Sequence, residues 1–225
     1  AMSINANALK YEQVADWGRS TGYLDAFAEY LDNHGPLVRG NALANNGVNG
    51  MVVRGEVLSI DSVWDDTDIV HVLYDEIVIP NFHTYGGLRL QSAANQSLVV
   101  KLLGENAGFT ALGTPQEIED RIGGTLQIVG AAGYPVVLTS LHDDSVGAGR
   151  DPWGNPQNDT DNAVNSALAG DWRSVKLERY VNDRNVAVVI EREAAHAGGN
   201  TNDTPHSAQS LGSLAPNMKS GDENL

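Results

Sequence analysis

Cysteine is absent from the 225 residues, which removes disulfides, thiolate zinc sites and cysteine nucleophiles together. Positive charge is scarce: 14 Lys and Arg stand against 29 Asp and Glu, leaving a formal charge of −15. Most of such a surface repels a phosphate backbone, so nucleic acid is not an expected partner. Nowhere does the chain reach the run of about 18 apolar residues that a spanning helix needs, and its start shows no basic-then-apolar targeting segment. Membrane insertion is therefore not expected, and Ala1-Met2-Ser3 reads as a cloning remnant ahead of a domain. HExxH, GxSxG and phosphate-loop motifs are also missing, since the glycines at 104–108 and 147–149 lack the lysine and helix that phosphate cradling requires. No catalytic residue is assigned, and the reading leans away from an enzyme.

What is present suits strands and turns. The 24 glycines against 3 methionines favour many short elements over a helical bundle, and the 41% apolar content is enough to bury one core. Residues 9–31 form the one extended helical candidate, with Leu24, Phe27 and Leu31 at helical spacing after Val14 and Trp17. Asn33-His34-Gly35-Pro36 stops it. From Leu37 the texture becomes strands of a few residues, expected at 50–53, 56–60, 69–73, 76–79, 88–91, 98–102, 125–129, 135–139, 173–177 and 186–190. Leu88/Arg89/Leu90 and Leu126/Gln127/Ile128 alternate, one face inward and one in water. Leu98-Val99-Val100 is apolar on both faces and calls for a cover of loop or helix. Residues 143–170 form a long Gly, Pro, Asn and Asp-rich excursion, a length that in compact domains usually has a purpose. Three regions follow: a helical cap with the remnant at 1–36, a β domain at 37–196, and a linker or the start of a further domain at 197–225.

The densest signal lies at 123–141, GGTLQIVGAAGYPVVLTSL, which leads into His142-Asp143-Asp144 and, past the long loop, into Gly170-Asp171-Trp172 with Val175. The pattern of Gly124–Gly130, Pro135–Ser140, an acidic loop and a Gly-Asp-Trp strand resembles the rungs of right-handed parallel β-helix modules in large secreted or surface multidomain proteins of planctomycete-type bacteria. SVWDDTDIVHVL at 62–73, GGLRLQS at 86–92 and the tail SAQSLGSLAPNMKSGDENL extend the likeness over most of the chain. The resemblance implies an all-β fold, a right-handed parallel β-helix or solenoid with an N-terminal helical cap, with a β-sandwich as the alternative. It also implies an extracellular or cell-surface location, neighbouring domains of a larger polypeptide as partners, and a noncatalytic structural or adhesion role. Physics favours stacking, because one coil cannot bury its own apolar side chains whereas a pile of coils shares an interior.

Two groups of residues carry chemistry. Asp143, Asp144, Asp151, Asn155, Asn158, Asp159 and Asp161 place oxygen ligands on a Gly-containing loop, which is what a hard cation such as calcium prefers, although their order matches no twelve-residue calcium loop. The plain alternative is a solvated acidic loop. Phe82, His83, Tyr85 and Trp153 offer platforms for a polysaccharide or protein partner, so a carbohydrate-binding module or a polysaccharide-active β-helix enzyme is the competing function. Asp65, Asp66 and Asp68 are expected in a turn, accepting backbone N–H bonds. His71, inside an alternating strand, reads as a packed or surface histidine.

Overall fold

The computed structural model describes residues 1–9, 38–81, 87–113, 121–182 and 184–185. Short β-branched and leucine-rich segments become strands, and all but one pair of them fall into three parallel sheets. The first sheet is β1 (Met2–Asn5), β2 (Met51–Arg54), β4 (His71–Leu73), β7 (Leu98–Leu102) and β11 (Val136–Ser140), in that order. The second is β3 (Asp61–Trp64), β6 (Gly87–Gln91) and β10 (Thr125–Val129), and the third β5 (Glu76–Ile79), β8 (Gly104–Ala111) and β12 (Trp172–Leu177). The pair β9 (Arg121–Ile122) and β13 (Arg184–Asn185) is antiparallel.

From β3 the chain visits second, first and third sheet in turn, then repeats, so each circuit adds one parallel strand to every sheet. Among the described residues this is an open, solenoid-like all-β architecture without a closed barrel. The parallel ladders set aside the β-sandwich alternative, whose sheets are antiparallel. Circuit length is irregular. In the first sheet the partner one circuit on from Met51 is His71, from His71 it is Val100, and from Leu98 it is Val136.

Register stacks like faces on like. Inward columns run Met51/His71/Val100/Leu138 in the first sheet, Trp64/Leu90/Ile128 in the second, and Ile77/Phe109/Val175 in the third. Trp64, Leu90, Ile77 and Phe109 are fully buried, whereas Ile128 on the last rung is 45% exposed because no described strand lies beyond it. Each buried Leu, Ile or Phe contributes about 1.5–3 kcal/mol relative to exposure. Trp64 anchors this interior, with the Phe109 ring edge-on to it at 5.6 Å and the His71 ring stacked on it at 5.3 Å. On the last rung of the second sheet, Asn182 stands in for a neighbouring strand: its amide accepts from the Leu126 N–H at 2.9 Å and donates to the Leu126 carbonyl at 3.1 Å.

Several expectations shift. Met2–Asn5, next to the start of the chain, pairs with β2 as the first strand, with Met2 and Ile4 packed against the core. The strand expected at 56–60 is only a single bridge from Val57 to Val78, and the paired strand follows it at β3. Strand β8 escaped notice because glycines interrupt its alternation. At Gly108 a Cβ would lie 2.4 Å from the Ser174 carbonyl oxygen, so the close approach of β12 demands glycine there. The helical cap at 9–31, apart from Leu9, the strand at 186–190 and the linker at 197–225 lie outside the described residues.

Candidate functional site

The outer face of the first sheet is not left to water. Val72 and Val99 point away from the interior yet are fully buried, because residues of the long excursion, Val146 and Ala148 among them, pack over them with Leu141. This supplies the cover that the doubly apolar Leu98-Val99-Val100 run calls for. The loop lies close enough that Gly149, at φ +73°, would place a Cβ 2.1 Å from the Asp68 carbonyl oxygen. Only glycine takes both that backbone conformation and that contact without strain.

Beneath this cover sits Lys101, an outward residue of β7 between Val72 and Thr139 on the neighbouring strands, and its surface is fully buried. Its ammonium donates to the Asn158 carbonyl at 2.7 Å. Asp144, Asp159 and Asp161 converge nearby, one carboxylate oxygen from each lying within 4.8 Å of the others. Residues far apart in sequence meet here because the loop folds back on the sheet. Asp159 accepts from the Asn162 N–H at 2.6 Å, and Asp161 accepts from the Ala163 N–H and from Asn165. His142 Nδ1 lies 2.7 Å from Asp161 Oδ2.

The electrostatics of the group are uneven. Burial lowers the Lys101 pKa, opposed by the pull of Asp144, Asp143, Asp161 and Asp159. Asp144 is pushed above the usual carboxylate range by burial and by repulsion from Asp159, which Lys101 offsets only in part. Burial acts on Asp161 in the same direction, but hydrogen bonds from Asn165 and His142 bring it below its ordinary value. Asp143, bonded by Ser145 and by Thr139 at 2.6 Å, is also lowered. One ammonium thus faces four carboxylates. All the donors are hard oxygens, so the cluster has the chemistry of a site for a hard cation.

The seven oxygen-bearing residues expected as ligands separate into groups. Asp144, Asp159 and Asp161 come together, Asp143 serves its own turn, and the Asn158 carbonyl serves Lys101. Asp151 and Asn155 close a separate hairpin, in which Asp151 accepts from the N–H groups of Trp153 and Asn155 and from the Asn155 amide. At its tip Trp153 is 71% exposed. Phe82, His83 and Tyr85 lie outside the described residues. Asp65, Asp66 and Asp68 gather around Arg39, whose guanidinium donates to the Asp65 carbonyl, while Asp68 accepts from the Gly40 N–H at 2.6 Å. Lys101, Arg39 and Asn165 are participants that the sequence pattern does not single out. A lysine flanked by valines and leucines in β7 was the one available signal.

Comparison with protein-family models, with curated proteins and with solved structures finds no match to this chain.

Proposed function

We propose that this chain is a noncatalytic structural or adhesion module of a larger extracellular or cell-surface protein, a right-handed solenoid that spaces or attaches its neighbours. The observation that carries the reading is that three of the groups suited to acid–base work near the loop are engaged internally. His142 faces Asp161, Lys101 holds the Asn158 carbonyl, and Asp171 accepts from Ser140 and from the Leu168 N–H. Right-handed winding is supported by the hand that parallel strand crossovers almost always take. A panel of plant, algal and bacterial polysaccharides tests the noncatalytic claim. Turnover that disappears in His142→Ala or Asp144→Asn would sink it, and display of the chain on a bacterial surface should change attachment without releasing products.

Calcium is a second reading, favoured by the convergence of Asp144, Asp159 and Asp161. A bound ion would tie the loop to itself and relieve the repulsion on Asp144. Calorimetry with CaCl2 should show heat of binding, with a higher melting temperature that chelator reverses and Asp144→Asn abolishes. Absence of both effects at millimolar calcium removes this reading and leaves Lys101 as the cluster's counter-charge.

A further inference from the structure

Away from the acidic cluster, the tight turn between β6 and β7, the segment beginning at Gly40 and the hairpin at 150–156 enclose a cleft of about 450 Å³, bordered by Asn41, Asp68, Gln96, Arg150 and Pro156. That size falls within the range of about 300–1,000 Å³ typical of small-molecule sites. Three of its side chains are planar polar groups, each held by one internal hydrogen bond with further capacity to spare. Gln96 accepts from Thr67 at 2.8 Å through its amide oxygen, leaving the amide N–H groups without a partner among the described residues. Arg150 donates one guanidinium N–H to the Gly154 carbonyl at 2.6 Å and keeps the others. Asn41 donates to the Arg39 carbonyl at 3.1 Å, so its amide oxygen remains an acceptor. The carboxylate bordering the cleft, Asp68, faces the Arg39 guanidinium at 3.8 Å, a partner it shares with Asp66.

Trp153 completes the set. A single bridge pairs Arg150 with Pro156, so the two cleft-lining residues are the feet of the hairpin that carries Trp153 at its tip. Three residues of chain reach at most about 10 Å, so the Trp153 backbone stands within that distance of Arg150 and Pro156, beside the cleft rather than in its lining. The hairpin is pinned by three bonds to Asp151 and by the Gly154 N–H to the Asp151 carbonyl at 3.0 Å. An indole presented to water on a fixed support contributes nothing to the core, but it gives a flat apolar face at little entropic cost on binding.

We propose that this cleft, extended by Trp153 on the neighbouring hairpin tip, binds a neutral saccharide of about two hexose units. A hexose ring has an apolar C–H face for the indole and a rim of hydroxyls, each able to donate and accept. The rim matches the amide and guanidinium donors of Gln96 and Arg150 and the acceptor of Asn41. The lining carries one carboxylate, Asp68, and one guanidinium, Arg150, so it offers no net charge to a charged sugar. The site stands whether or not the module is a spacer and whether or not calcium binds, so its failure leaves both of those readings intact.

The full chain is titrated with cellobiose, maltose, lactose and digalacturonate, followed by tryptophan fluorescence and by saturation-transfer NMR. Saturable binding of at least one neutral disaccharide is expected, at least tenfold weaker in Trp153→Ala and in Gln96→Ala. Trp153 is exposed, so the melting temperature of Trp153→Ala should match the parent and its binding loss would not reflect unfolding, whereas Gln96→Ala also takes the acceptor from the buried Thr67 hydroxyl and is compared below its own melting temperature. No saturation by any neutral disaccharide up to about 50 mM, beyond which affinity corresponds to less than about 2 kcal/mol, overturns the proposal. So does binding of digalacturonate alone, or binding that both substitutions leave unchanged.

Discussion

Lowering the pH from 7 toward 4 should destabilise this protein through His71. That imidazole lies in an inward column between Met51 and Val100, fully buried, stacked on Trp64, with neither ring nitrogen in a hydrogen bond of normal geometry. Burial lowers its pKa from 6.5 to about 4, with a smaller opposing effect from the Ile69 backbone and a further lowering by the charge of Arg39. The unfolded chain takes up the proton near pH 6.5, whereas the folded chain does so only near 4. Stability is therefore complete above pH 6.5 and drains away as the pH falls between those values. The difference amounts to about 3 kcal/mol in all, at up to about 1.4 kcal/mol per pH unit. Urea unfolding at half-unit steps from pH 7.5 to 4.5 measures it, with His71→Phe as the partner variant, which keeps a ring against Trp64 and cannot titrate. The difference in slope between the two proteins isolates His71 from the other histidines. Parallel loss of stability in both proteins over this window would refute the reasoning. The lowered carboxylates, Glu76, Asp143 and Asp161 among them, act in a separate and more acidic window, because their contribution is lost only as pH falls below the ordinary carboxylate range.

Other substitutions probe the interior, the loop and the charge cluster. Phe109→Ala removes a fully buried ring packed edge-on to Trp64 and should cost about 3–5 kcal/mol in urea unfolding. Gly149→Ala forces a side chain into positive φ and against the Asp68 carbonyl. It should cost about 2 kcal/mol or more and speed limited proteolysis within 141–170. Lys101→Met leaves the Asn158 carbonyl without its donor and the surrounding carboxylates without their ammonium, a loss of about 1–3 kcal/mol at pH 7. That loss should shrink on acidification as the carboxylates are neutralised, Asp144 first because its pKa is already raised. Melting curves at pH 7 and pH 4 make the comparison.

Residue order alone was enough for the local part of this fold. Period-two alternation at Leu88–Leu90 and Leu126–Ile128 and the apolar runs at 98–102 and 136–140 specify strands, because side-chain direction in a strand depends only on neighbours along the chain. The gap between consecutive strands is too variable to reveal pairing. A circuit closes from Met51 to His71 in one place and from Leu98 to Val136 in another, so stacking followed from the kinds of strand present, but register did not. The glycine-broken β8 and the first strand Met2–Asn5 show the same limit, since each is held by a partner far along the sequence.

The candidate sites were legible as composition and not as geometry. An Asp- and Asn-rich loop announces oxygen ligands, yet spacing does not say that Asp144 meets Asp159 and Asp161 while Asp151 and Asn155 close a hairpin of their own. That division depends on the loop folding flat against the first sheet, which in turn depends on the valines it covers and on the contact at Gly149. By itself, then, the sequence determined the alternating and apolar strands such as those at 88–91, 98–102 and 125–129, the acidic surface, the absence of thiol chemistry and the need for a cover over β7. Only the tertiary structure decided that His71 is an interior residue, that a buried lysine neighbours the acidic cluster, and that Asn41, Gln96 and Arg150 border one cleft. Burial and charge pairing are properties of distances through space, and the lengths of the circuits that set those distances are written in no local pattern.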